Sequence, residues 1–242
     1  LRSNKAYEYF LPFSSKTLDT NLVQLTINSR NSLFINRFSS KINAQIDVNY
    51  LKSKTLLTSG NEIRVSQNQS LTIRWNIYKE LLLQSSYNHG TKANLSDFYL
   101  TQQYNINLHE TSNELSYLYR NMIRLAFTYG FAYRKNTIAV YGGQLTTQHN
   151  ASVDFRFSKS GKTTVNSKFT VAAVKYNNNG VANLQAEYTL LEGLKNGINY
   201  IWNVGIEQKI SSALQLIIGY DGRKTGTDKV INTARAEIRA LF

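Results

Sequence analysis

Val230-Ile-Asn-Thr-Ala-Arg-Ala-Glu-Ile-Arg-Ala-Leu-Phe242, the last stretch of the chain, decides how the rest is read. With a period of two, Ala234, Ala236, Ile238, Ala240 and Phe242 share one face, and Arg235, Glu237 and Arg239 share the other. Such alternation signals a strand, whose successive side chains point to opposite faces. A soluble sandwich strand rarely sets three charges in succession on one face and stops on an aromatic. A membrane-spanning strand uses both features. It needs about 9–11 residues, apolar towards lipid and polar towards a lumen, with an aromatic at the interface.

Composition agrees. The 242 residues contain a single Pro, 16 Tyr, 11 Phe and 2 Trp, and no run approaches the roughly 18 apolar residues of a spanning helix. Barrel strands leave this moderate hydrophobicity because half of each is polar. Leu1-Arg-Ser-Asn-Lys-Ala has no apolar core, so the start does not read as a leader; a leader has been removed or the chain continues upstream. Zero cysteines leave no disulfide framework and no thiolate metal site. A net charge of +13 raises nucleic acid as a partner, but the Lys and Arg are scattered singly with no basic run or nucleic-acid motif. In a barrel the same charge has two uses. Arginines pair with carboxylates in the lumen, and rim lysines meet the phosphates of lipopolysaccharide.

Taken in order, residues 1–19 show no sustained alternation and read as a lead-in, with an aromatic cluster at Tyr7, Tyr9, Phe10 and Phe13. Residues 20–242 read as the wall. Val23, Leu25 and Ile27 oppose Gln24, Thr26 and Asn28; Ile42, Ala44, Ile46 and Val48 oppose Asn43, Gln45, Asp47 and Asn49, a face too polar for a dry core. The clearest strand sets Ile123, Leu125, Phe127, Tyr129, Phe131 and Tyr133 against Arg124, Ala126, Thr128 and Arg134. Tyr104, Ile106 and Leu108 start one phase and Leu115, Tyr117 and Tyr119 resume the other, so a bulge is expected near His109–Asn113. Short turns near 38–41, 78–80, 119–121, 158–161 and 210–212 alternate with longer connections at 52–60, 89–103, 135–144, 176–196 and 221–229. Short periplasmic turns opposite long outer loops are the habit of outer-membrane barrels. The expected fold is an all-β antiparallel transmembrane barrel of about 10–12 strands in a bacterial outer membrane. The count comes to eleven, which leaves first and last strands pointing the same way; a twelfth strand or upstream residues are expected to complete the wall.

Leu190-Leu-Glu-Gly-Leu-Lys-Asn-Gly-Ile-Asn-Tyr-Ile-Trp-Asn203, Leu214-Gln-Leu216, Tyr220-Asp-Gly-Arg-Lys224, Ala234 to Phe242 and Leu71-Thr-Ile-Arg-Trp-Asn76 resemble the C-terminal barrel region of large Bacteroidota outer-membrane proteins. The resemblance implies an anchor at the end of a longer protein, and attaches no activity. A terminal aromatic such as Phe242 is similar to the closing signal of outer-membrane barrels, which the insertion machinery reads.

The inward charges form the main constellation: Arg30, Arg74, Arg124, Arg134, Arg156, Lys168, Arg235 and Arg239 against Asp47, Glu114, Asp154, Glu207 and Glu237. In a narrow barrel they interlock and close the bore; in a wider one they bias permeation towards anions. An outer-membrane lipid hydrolase would rest on His149, Ser152 and Asp154, or on His89 and His109. His149 and Ser152 fall on opposite faces of one strand, which defeats a nucleophile–base pair. Lys224-Thr225-Gly226 reads as a turn, and nothing points to a metal or cofactor. The reading is an anchor or subunit of an outer-membrane complex, with outer-membrane lipid, the insertion machinery and other subunits as partners; a small anion-biased channel is the alternative.

Overall fold

The alternating segments pair into one continuous sheet. In this computed structural model, residues 23–39, 41–57, 60–138, 143–159, 162–178, 180 and 183–240 are described. The 1–19 lead-in and Phe242 lie outside them. The strands are β1 (Gln24–Ile35), β2 (Ile42–Leu57), β3 (Gly60–Asn76), β4 (Leu81–Ser96), β5 (Tyr104–Tyr119), β6 (Ile123–Asn136), β7 (Leu145–Lys159), β8 (Thr163–Asn177), β9 (Gly197–Lys209), β10 (Leu214–Thr225) and β11 (Ile231–Ala240), with one helix, α1 (Leu184–Leu191). The sheet has 11 strands in sequence order, each antiparallel to its neighbours. This is the up-and-down wall that the alternation implies.

Register settles the two faces, because directly paired residues share a side. Arg124 pairs with Arg156, Ala126 with Asp154 and Thr128 with Ser152; Leu125 pairs with Phe155 and Phe127 with Val153. α1 lies on the Arg134 side of the sheet, which makes that side the inward one. The outward side carries Leu71, Ile73, Leu115, Leu125, Phe127, Val153, Phe169, Ile218 and Ile238, all well exposed, with Phe127 at 50%. Soluble monomers rarely expose contiguous apolar patches above a few hundred Å². A belt running strand after strand across this sheet is a lipid-facing surface.

The charges sort by face more strictly than the apolar residues. Every arginine inside a strand (30, 64, 74, 124, 134, 156, 223, 235 and 239) occupies an inward register position. So does every strand carboxylate: Asp47, Glu62, Glu110, Glu114, Asp154, Glu207, Asp221 and Glu237. Outward, the strands carry charge only as lysine, at positions 52, 54, 135, 159, 175 and 224.

Several sequence expectations are corrected. Leu57 of β2 pairs with Gly60 of β3, so 52–60 is not a long loop. β4 continues to Ser96, which places His89 in a strand, and β10 runs to Thr225. The 16 residues of β4 exceed the about 9–11 that cross a bilayer, so its polar upper part stands clear of the membrane. Polar sequence there reads as loop because no lipid demands an apolar face. The bulge expected near His109–Asn113 is absent: β5 pairs with both neighbours without a slip, and Ile106 and Leu108 face inwards.

Among the described residues β1 and β11 are the sheet's free edges, and the wall is not closed between them. With eleven strands alternating in direction, these two run the same way. Antiparallel closure therefore takes an odd number of further strands.

Candidate functional site: the charged lumen and its inward helix

α1 explains the inverted phase of Ile106 and Leu108. Asn183 caps its start, the side-chain oxygen accepting from Ala186 N at 3.0 Å. Its Nδ2 donates to Gln103 O at 2.8 Å, tying the cap to the short 3-10 turn Leu100–Gln102. Glu192 ends the helix at φ 51° and Gly193 follows at φ +80°, a left-handed exit that glycine adopts without strain. The helix packs against β5, β6 and β7. Ala186, Leu190 and Leu191 are buried there, as are Ile106, Leu108, Ala132 and Val174 on the inner wall. Burying one leucine side chain contributes about 1.5–3 kcal/mol. An apolar spot on an otherwise wet inner wall is thus the docking seat of a helix from the β8–β9 connection.

Arg134 holds that helix. Its side chain is 5% exposed, and Nη2 lies 2.7 Å from Glu110 Oε1 and 2.8 Å from Glu192 Oε2. Nη1 donates to Gln148 Oε1 at 2.8 Å and to the Leu190 carbonyl at 3.2 Å. A buried guanidinium is tolerable only when its donors are satisfied, and here wall and helix share that task. Lys92 Nζ, 3.8 Å from Glu192 Oε1, adds a second, more exposed contact. Around this clamp Asn136, Gln144 and Asn199 are fully buried, and Asn136 Nδ2 donates to Gln144 Oε1 at 3.0 Å.

The expected inward residues fall into separate groups rather than one network. Arg124 sits between Glu114, which it contacts closely, and Asp154, whose Oδ1 is 3.6 Å from Nη1. Arg239 Nε donates to Glu237 Oε1 at 2.6 Å along β11. Arg74 Nη2 donates to Gln84 at 3.2 Å. Arg235 lies flat across Gly219, where a Cβ would come within 2.8 Å of its Nε. Beside it, Asn166, Asn203, Glu207 and Asp221 border a depression of about 290 Å³ in the inner wall. Arg30, Arg156 and Arg235 make no ion pair with a described residue. Glu110, Glu192 and Gln148 were absent from the expected set. Glu110 sits inside the misphased segment, and Glu192 in a connection that reads as loop; the cue was Asn183 with Leu190-Leu-Glu-Gly193, a helix cap and stop.

Two rim carboxylates outside the spanning segments are held in the charged form. Hydrogen bonds from the Asn61 backbone and side chain, both 2.9 Å, draw Asp97 below the usual carboxylate range. A hydrogen bond from Lys195 draws Asp228 down likewise, joining the β8–β9 and β10–β11 connections. A lowered folded value stabilises the rim fully above the ordinary Asp value of about 3.9, and that stability is lost as pH falls through the folded value. Limited proteolysis at the rim is expected to be slow at pH 7 and to accelerate below about pH 4, with Asp228→Asn cut quickly at both.

No family model matches the chain, and no curated protein matches it. Solved structures similar to it include OmpT, an outer membrane protein of Vibrio cholerae (TM-score 0.47, 8% identity, 90% of this chain and 95% of that one). Others are the translocator domain of the autotransporter NalP from Neisseria meningitidis (0.36, 11%, 90% and 81%) and the β domain of the Bordetella autotransporter BrkA (0.41, 10%, 90% and 91%). At such scores the likeness carries no role across. The wall's own faces carry the assignment: an unbroken outward apolar belt, inward arginines and carboxylates, and short connections at one end. These are the features of a bacterial outer-membrane β-barrel wall. His149 is outward and Ser152 and Asp154 inward, so that trio is not assembled.

Proposed function

We propose that the protein is an outer-membrane anchor or subunit of a larger outer-membrane complex, with a lumen occupied by its own groups rather than kept open for solutes. The observation that carries this reading is the Arg134 clamp, which fastens α1 to the inner wall through both side-chain and backbone acceptors. A helix of ordinary width, about 10–12 Å with side chains, takes up much of the bore of a barrel of about ten to twelve strands. The assembled ion pairs at Arg124 narrow it further. We assign the chain no catalytic step, and Phe242 is proposed as part of the signal read by the insertion machinery.

The anion-biased channel keeps one observation in its favour, the inward arginines 30, 156 and 235, which make no ion pair with a described carboxylate. Planar-bilayer recording separates the two. Purified protein is expected to show no steady conductance. A steady anion-biased current that falls when Arg124 and Arg235 are neutralised would overturn the anchor reading.

A further inference from the structure

All three histidines of the chain stand on the outward face, within one patch. A single register row runs Gln69, His89, His109, Tyr133, Thr147 and Lys175 across β3 to β8. The rings touch: His89 and His109 centroids are 4.5 Å apart, and His109 and Tyr133 6.4 Å. Tyr87 Oη is hydrogen-bonded to His109 Nδ1 at 2.9 Å, and Tyr129 Oη to His149 Nδ1 at 2.9 Å. His89 Nδ1 is shielded from solvent and has no hydrogen-bond partner.

The height of the patch is set by length. Counted from Tyr119 at the short-turn end of β5, the about 9–11 residues that cross a bilayer run out at His109. The patch therefore lies where acyl chains give way to headgroups on the long-loop side. Polar aromatics suit that level, because each ring offers an apolar body and a polar tip. Charge is added just there. Lys175 ends the row, and Lys135 stands one step above Tyr133, paired with Asn107 and Leu145. Neither lysine has a described carboxylate within ion-pair distance, and no outward strand position holds an acidic residue.

Resting on the barrel reading above, we propose that this strip of β4–β8 is a binding site for a phosphorylated glycolipid headgroup of the outer leaflet. Lys135 and Lys175 take the phosphate charge, and the His89–His109–Tyr133 stack takes the sugar by ring contact and hydrogen bonding. A neutral phospholipid surface would need the aromatic belt but not the uncompensated lysines. An anionic phospholipid would meet the lysines but leave the imidazole stack unused.

The test uses the purified full chain in neutral phosphocholine nanodiscs, titrated with a diphosphorylated lipid A-type glycolipid, its dephosphorylated form, or phosphatidylglycerol. Retained lipid is read by native mass spectrometry. Wild type should hold the phosphorylated glycolipid in preference to both others. Lys135→Gln with Lys175→Gln should weaken it at least about tenfold, and His89→Ala with His109→Ala should erase the preference over phosphatidylglycerol. Lys159→Gln, at the opposite end of the wall, should change nothing. Equal retention of all three lipids, or no effect of the paired lysine variants, would overturn the site. Heat-modifiable gel mobility, followed for each variant, separates loss of this site from loss of the barrel itself.

Discussion

Replacing Arg134 by methionine is expected to destabilise the protein by about 3 kcal/mol and to free α1 from the wall. Breaking a buried ion pair costs about 3–5 kcal/mol, because the partners are left charged and unmatched. The lower end applies because Glu110 and Glu192 are 29% and 44% exposed and regain water in part. Glu110 remains on β5 beside Leu108 and the helix seat, so methionine packing does not recover the loss. Denaturant unfolding in detergent should show an earlier midpoint, and protease should cut near Lys195 before the wall unfolds. An unchanged midpoint with α1 still protected would show that the helix is held by its leucines alone.

The second large effect compares two adjacent positions of β6. Phe127→Arg places a charge on the outward belt near mid-membrane, and Thr128→Arg places the same charge in the lumen. An outward arginine at the midplane costs about 2–4 kcal/mol, and a lumen one much less. Folding into lipid vesicles should therefore fail or slow markedly for Phe127→Arg and proceed for Thr128→Arg. The neighbouring Asp154 and Ser152 give the lumen arginine polar company. Equal penalties at both positions would mean that the two faces of the sheet do not meet different solvents.

Much of this fold was legible because a lipid-facing strand has no freedom in its pattern. Ile123 to Tyr133 alternates without exception, since each outward position meets acyl chain and each inward one faces the lumen. Where that constraint lapses, the reading lapsed with it. The tops of β2, β4 and β10 rise above the membrane, so residues such as Ser53 and Asn94 carried no strand signal strong enough to distinguish them from loop. At Ile106 and Leu108 the pattern inverted for a tertiary reason. α1 brings a piece of apolar core into the lumen, and only the fold shows that a distant connection supplies it. The charged residues of the site were found by face, but their partners were not. Arg134 was placed inwards from its strand, whereas Glu110 and Glu192 come from a misphased strand and from a helix nearly 60 residues away in sequence. Pairings of that kind depend on which strand lies beside which and on where a loop folds back.

The outward and inward assignments underlie everything else, and the chain is well suited to a direct test because it contains no cysteine. Single cysteines placed from 124 to 133 along β6, in protein folded in lipid vesicles, can be probed with a water-soluble maleimide and with a lipid-borne quencher of an attached fluorophore. The account predicts strict alternation: 125, 127, 129, 131 and 133 quenched from the bilayer and unreactive to the maleimide, and 124, 126, 128, 130 and 132 unquenched. Quenching without a period of two, or none at any position, would contradict it.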